Sequence, residues 1–187
     1  LRERIWESMR KRGLREGIIE RIKNLYGICK NRVRIEEKYT ETFKTERGVR
    51  QGSILSPFLF NIIMDEIILE VQGNRGAEEL KKIAYADDIM IWENREEELE
   101  RELNKWAKVA KKYGLEMNIQ KCKVMKVERR EGNNKDVLVE GKRLENVKEF
   151  CYLGSIITDR GTIREEIGNR IWKSGKFFNM VKKIVWS

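Results

Sequence analysis

The chain has 187 residues, 40% of them hydrophobic, enough for one domain, or one domain with an appended helical piece. Lysine and arginine outnumber acids 40 to 31, and a net charge of +9 favours a polyanionic partner, nucleic acid or an anionic membrane surface, over a neutral small molecule. Histidine is absent and Cys29, Cys122 and Cys151 lie far apart, so His-based triads, His-ligated metals, a disulfide framework and a CxxC zinc site are excluded, and carboxylates are left as the catalytic groups.

Residues 2–12 and 14–28 show helical spacing, through Ile5 and Met9 and then Leu14, Ile18, Ile22, Leu25 and Tyr26, with Gly13 as the break. Val33, Ile35 and Phe43 suggest a short basic hairpin before Gly48. Ser56 followed by Pro57 is the favoured order for an N-cap and first-turn proline, opening an apolar helix to about residue 71. Gly73-Asn74-Arg75-Gly76 then makes a loop. Asn94, with Glu97 three residues on, caps a helix whose stripe of Leu99, Leu103, Trp106, Val109 and Tyr113 is core packing, and Gly114 ends it. Segments 117–129, 136–140 and 148–157 read as short strands, separated by Glu131-Gly132-Asn133-Asn134 and Gly141. A final amphipathic helix over 162–186 sets Ile163, Ile167, Ile171, Phe178, Val181 and Val185 against six lysines and arginines.

Between the loop and the capped helix stands Ile83-Ala84-Tyr85-Ala86-Asp87-Asp88-Ile89-Met90-Ile91-Trp92, two adjacent aspartates between short β-prone runs, which reads as a hairpin with the acids at its turn. Two carboxylates about 5 Å apart repel by roughly 3 kcal/mol at an effective dielectric near 20. Placed beside strands, such a pair calls for a cation, and hard oxygen ligands with no His or Cys suit Mg²⁺ or Mn²⁺. Asp is also common in turns, so the pair alone equally describes a solvated turn. Charge is unevenly placed: net +7 over residues 1–50, −5 over 51–93 and +7 over 94–187. An acidic centre between basic arms suits a metal site working on a polyanion, while Asp65, Glu66, Glu70, Glu78 and Glu79 are also explained as solvated surface. No apolar run of about 18 residues and no signal-peptide core occurs, which reads as a soluble intracellular protein, cytoplasmic or nuclear, with no membrane partner. The first residue is Leu, and the chain reads as a piece of something longer.

The segment Gly48-Val49-Arg50-Gln51-Gly52-Ser53-Ile54-Leu55-Ser56-Pro57-Phe58-Leu59-Phe60-Asn61 leads by one helix into Tyr85-Ala86-Asp87-Asp88. Then follow Gly114-Leu115-Glu116-Met117-Asn118-Ile119-Gln120-Lys121 and Phe150-Cys151-Tyr152-Leu153-Gly154-Ser155. Four motifs in this order resemble the reverse transcriptase of non-LTR, LINE-like retrotransposons. The resemblance implies an α+β polymerase palm, an antiparallel sheet packed on helices, over residues 1–157 with connector helices at 1–28, and the start of an α-helical thumb over 158–187. It implies RNA-directed DNA synthesis from an RNA template, a DNA primer and dNTPs with Mg²⁺ or Mn²⁺.

Residue by residue, the resemblance makes Asp87 and Asp88 metal ligands and catalytic groups, with Tyr85 and Ala86 near the primer end and the Tyr85 ring a packing element. Arg50, Gln51, Gly52 and Ser53 lie where backbone approaches template or nucleotide, a task that suits a missing Cβ; loop hydration is the other reading of Arg50 and Gln51. Lys121 matches a lysine facing the triphosphate, with Lys123 close enough to compete for the assignment. Tyr152, Leu153 and Gly154 resemble a primer grip, or an ordinary hairpin with Leu153 in the core. The family's site uses three aspartates, the first on a strand preceding the sequence matched by Leu1–Trp6, and Asp65 should not reach the hairpin tip. The isolated piece is therefore expected to be inactive. A non-catalytic nucleic-acid-binding module, or an interaction domain using the 95–113 and 162–186 helices, are the other classes the residues allow.

Overall fold

A computed structural model of the chain describes residues 2–28, 30–45, 48–73, 81–127 and 135–185. The loop expected at 74–76, Glu78 and Glu79, the end of the 117–129 segment, the 131–134 break and Cys29 lie outside the described residues. The chain is mixed α/β, with five helices and ten short strands among the described residues, and divides into two compact units.

The first unit comprises residues 1–93 and 102–116. Helices α1 (Arg2–Lys11) and α2 (Glu16–Gly27) meet at Gly13, whose φ of 77° lies in the left-handed region that lacks a penalty only for glycine. The Gly13 amide donates to Arg10 O (2.8 Å) and the Leu14 amide to Met9 O (3.1 Å), which satisfies the last carbonyls of α1 in a Schellman arrangement. Ile5, Trp6 and Met9 of α1 are buried as the spacing predicts or next to it, but α2 buries Ile19 and Tyr26 while Ile18 and Leu25 stay exposed. Trp6 meets the Tyr26 ring edge-on, with centroids 5.9 Å apart.

Helix α3 (Ser56–Gln72) buries Leu59, Ile63, Met64, Ile67 and Val71. Its N-cap position is Leu55 and has no side-chain cap, so Ser56 does not cap the helix; its hydroxyl is used elsewhere, and Pro57 retains its place in the first turn. The acids of α3 are ion-paired rather than merely solvated: Arg12 reaches Asp65 at 2.5 Å and Glu66 at 3.4 Å, and Glu70 accepts from Lys112 at 2.7 Å and the Tyr113 hydroxyl at 2.9 Å. Helix α4 (Glu96–Lys112) buries Trp106, Ala107, Val109 and Ala110. Its first i→i−4 bond runs from Leu99 N to Arg95 O (3.1 Å), so the helix begins a residue later than an Asn94 cap predicts. Gly114 (φ 74°) closes it with the same Schellman pattern, Gly114 N to Lys111 O and Leu115 N to Ala110 O, both at 2.9 Å.

Among the described residues the strands pair in small two-stranded ladders. In the first unit these are the hairpins β1 (Arg34–Ile35) with β2 (Lys38–Tyr39), and β3 (Lys82–Tyr85) with β4 (Asp88–Ile91). The second unit, residues 94–101 and 117–187, holds the rest. Only β5 (Lys123–Val124) survives from the strand expected over 117–129, because residues 119–121 turn. β5 pairs in parallel with β8 (Glu145–Asn146), while β6 (Leu138–Val139) with β7 (Lys142–Arg143) and β9 (Glu149–Tyr152) with β10 (Ser155–Thr158) pair antiparallel. The segment 148–157 is thus a hairpin and not one strand. Glu140-Gly141 and Leu153-Gly154, all four with positive φ, have the signature of type I′ turns, whose twist matches the flanking strands. Val124, Val137, Val139 and Leu144 form the core of this unit. The first turn of α4 belongs here too, tied by Glu96 to Lys126, by Glu97 to Lys135 (2.8 Å) and by Glu100 to the Leu138 amide (2.9 Å). Helix α5 (Arg164–Val185) starts against β10, where Glu166 accepts from the Ile156 amide at 2.7 Å. Of the apolar side chains of the amphipathic helix, Ile163, Ile167, Ile171 and Phe178 are exposed.

Candidate functional site

The β3–β4 hairpin brings Tyr85, Ala86, Asp87 and Asp88 into four consecutive positions around a two-residue turn. Tyr85 and Asp88 are direct partners across the ladder, Ala86 and Asp87 form the turn, and all four are exposed. Only Asp87 therefore lies on the turn itself; Asp88 opens β4. Ala86 holds a φ of 53°, a left-handed conformation that costs a residue with a Cβ about 1 kcal/mol or more. The Tyr85 ring, expected to pack, is instead 66% exposed and stands at the tip beside the acids. Period-2 alternation accounts for this: Ile83 and Tyr85 share one face of a ribbon that is open there, and Ile83 is exposed as well.

Arg50, Gln51, Gly52 and Ser53 form the loop before α3. Ser56 lies buried at its end, and its hydroxyl donates to the Arg50 carbonyl. With that proton committed, the buried Tyr26 hydroxyl is the donor to Ser56 Oγ at 3.2 Å. The Ser53 amide also reaches Arg50 O (3.3 Å), and the Arg2 guanidinium, 5.0 Å from the Tyr26 ring centroid, donates to Gly48 O at 3.1 Å. Gly52 at φ 79° makes the reversal that a side chain would strain. The loop backbone is thereby fixed from α1, α2 and α3 while the Arg50 and Gln51 side chains face solvent. Sequence reasoning missed Arg2, Tyr26 and Ser56 as the anchors; the one signal was a hydroxyl at the start of an apolar helix, and it was read as a cap.

In the second unit Lys121 sits in an exposed turn, its amide bonded to Asn118 O (3.0 Å) and Asn118 Oδ1 (3.3 Å). Its ammonium has no ion pair among the described residues, whereas Lys123, the competing assignment, is paired with Glu145 across the parallel ladder. Burial raises the pKa of the intervening Cys122 thiol. Tyr152, Leu153 and Gly154 form the type I′ tip of β9–β10, with Leu153 at φ 49° and exposed, so it is not a core residue.

Two adjacent carboxylates are a hard oxygen donor set of the size that Mg²⁺ uses when substrate phosphates and water complete its shell. Among the described residues no group of three His, Cys, Asp or Glu side chains could hold a metal ion. Asp65, the nearest aspartate earlier among the described residues, is committed to Arg12. Asp87 and Asp88 thus stand as an adjacent pair of exposed carboxylates.

The profile of the reverse transcriptase (RNA-dependent DNA polymerase) family matches residues 3–157. The chain belongs to that family. Among its relatives, it is 27% identical over 87% of its length to the "Retrovirus-related Pol polyprotein from type-1 retrotransposable element R2" of Nasonia vitripennis. It is also 27% identical over 92% of its length to that of the type-2 element R2DM of Drosophila melanogaster. A third relative, the R2 polyprotein of Popillia japonica, is 24% identical over 88% of the chain. The chain spans 17% and 18% of the first two relatives and 30% of the third. Among the described residues no helix is long and apolar enough to cross a membrane.

Proposed function

We propose that this chain is the part of a non-LTR retrotransposon reverse transcriptase that carries the Asp87–Asp88 pair, and that the pair serves nucleotidyl transfer from a dNTP to a primer 3′ end on an RNA template. The observation that carries the reading is the β3–β4 tip, which places the exposed Asp87 and Asp88 beside the exposed Tyr85 ring around one two-residue turn. When bound there, divalent metal supplies charge neutralisation for the attacking and leaving oxygens of an in-line displacement. Asp87 and Asp88 hold it. Lys121, with its unpaired ammonium, neutralises triphosphate charge or donates a proton to the leaving pyrophosphate. The Arg50–Ser53 loop positions nucleotide or template, with a backbone prefixed by Ser56 and Tyr26 so that little order is lost on binding. Tyr152, Leu153 and Gly154 serve as primer grip, residues 1–157 as palm and 158–187 as the beginning of the thumb.

The reading also makes the 187-residue chain inactive by itself, since two carboxylates are a partial metal site and a misplacement of about 1 Å can cost about a hundredfold in rate. Photo-crosslinking with a photoreactive dNTP tests the site. Mn²⁺-dependent labelling of the 48–55 and 84–89 segments, lost in Asp87→Asn, is expected, with no primer extension on an RNA template. Labelling independent of both metal and Asp87 contradicts the assignment, and extension abolished by Asp87→Ala contradicts the inactivity.

A further inference from the structure

The β1–β2 hairpin lies outside the motifs that define the candidate site, and it is not used for packing: every described residue from 32 to 45 is exposed. Arg34 and Tyr39 are direct partners across the ladder, so their side chains share a face. The Arg32 guanidinium stands over the Tyr39 ring at 3.9 Å from its centroid, which adds a second arginine to that face. Tyr39 is nonetheless 52% exposed. On α1 and α2 the cations are largely spent on acids, as in Arg10–Glu16, Arg12–Asp65 and Lys23–Glu20. On the hairpin, by contrast, Arg32, Arg34 and Lys38 have no carboxylate partner among the described residues, although Glu36 and Glu37 occupy the turn between the strands.

Arg34, whose Nε donates to the Glu36 carbonyl (2.8 Å) and has no carboxylate partner among the described residues, and Arg32, which lies over one face of a half-exposed Tyr39 ring, match the two requirements of single-strand recognition on a ribbon held off the core. Cations track phosphates, and a π-face stacks a base that is not engaged in a duplex. A neutral protein strand could pair with the ribbon's free edges, but it would leave these cations without counter-charge. We propose that the β1–β2 hairpin is a docking surface for single-stranded nucleic acid, with Arg32 and Arg34 holding phosphates and Tyr39 stacking a base. This shares with the reading above only the class of partner and does not depend on the metal site.

Fluorescence anisotropy of the 187-residue chain tests it, with a labelled oligouridine of about 16 nucleotides, the upper site size of a single-strand-binding fold, and a duplex of equal length. Arg32→Ala/Arg34→Ala should weaken binding and reduce the salt slope by about 1.4, two phosphate contacts at about 0.7 each. Tyr39→Ala should weaken oligouridine binding about tenfold with the salt slope unchanged, and Tyr39→Phe should restore it. The duplex should be insensitive to Tyr39→Ala. Asp87→Asn should leave all of these values unchanged, so the failure of the metal reading is scored separately. Equal binding by wild type, the arginine double variant and Tyr39→Ala overturns the proposal, as does no binding at all. Sedimentation in which Tyr39→Ala converts a dimer to monomer while nucleic-acid binding persists also overturns it, by assigning the face to a second copy of the chain.

Discussion

Ser56→Ala probes the link between the fold and the loop that carries Arg50, Gln51, Gly52 and Ser53. Ser56 is 6% exposed, its hydroxyl donates to the Arg50 carbonyl, and it accepts from the Tyr26 hydroxyl, which is itself buried. Truncation removes no cap, because Leu55 fills that position. It orphans one buried donor, the Tyr26 hydroxyl, and leaves the Arg50 carbonyl to the Ser53 amide; an unpaired buried group costs about 1–3 kcal/mol. For a chain of this size each kcal/mol lowers Tm by about 2–4 °C, so a fall of about 2–12 °C is expected. Tyr26→Phe removes the donor without orphaning it and should cost less. Tyr26→Phe/Ser56→Ala should cost less than the sum of the single changes, with a coupling of about 0.5–3 kcal/mol. Thermal melts by circular dichroism read these values, and limited trypsin digestion after Arg50 reads the loop, which should be cut faster in Ser56→Ala. A melt within about 0.5 kcal/mol of wild type, the range of surface changes, together with unchanged cleavage refutes the reasoning.

The two lysines near the second unit's turn separate cleanly. Lys121→Ala should weaken Mn²⁺-dependent dNTP labelling and leave stability unchanged. Lys123→Ala should leave labelling unchanged and lower stability by about 0.2–1 kcal/mol, since the Glu145 end of its ion pair is solvent-exposed. The alkaline limb of stability should belong to Tyr113, whose pKa is pushed up from 10 to about 12 by burial first and by its hydrogen bond to Glu70 second. The folded state favours the neutral phenol, so the stabilisation is complete below pH 10 and lost between pH 10 and about 12. Tyr113→Phe should flatten that limb. Glu70 has the opposite sign: the Lys112 hydrogen bond lowers its pKa, so its contribution is present above the ordinary carboxylate value and lost as pH falls through the lowered one.

Helices and hairpin tips were legible where a local rule sufficed. Gly13 and Gly114 end α1 and α4 because only glycine adopts their φ without strain, and the β-prone runs around Asp87 and Asp88 pair as a hairpin, with Asp87 at the turn and Asp88 opening β4. What failed depended on partners distant in sequence. The helical stripe of α2 holds at Tyr26, which turns inward to meet Trp6 and Ser56, but the buried face is shifted toward Ile19 and leaves Ile18 and Leu25 exposed, a shift set by contacts no window of neighbouring residues contains. The use of the Ser56 hydroxyl on the loop and not as a cap has the same origin. The 117–129 run is apolar enough for a strand, yet its ladder partner begins only at Glu145, and pairing stops at two residues. Of the candidate site, the order of the motifs was readable from sequence; the exposure of Tyr85 and the commitment of Lys123 to Glu145 were not, since both follow from what the neighbouring strand presents.

The central claim is that Asp87 and Asp88 hold divalent metal at the β3–β4 tip. Titration of the isotopically labelled chain with Mn²⁺, followed by paramagnetic broadening of backbone amides, tests it most directly. Broadening that begins at Tyr85 to Ile89, is reversed by excess Mg²⁺ and is lost in Asp87→Asn is the predicted result. Broadening that spares the tip and starts instead at the surface glutamates, unchanged in Asp87→Asn, would contradict the claim.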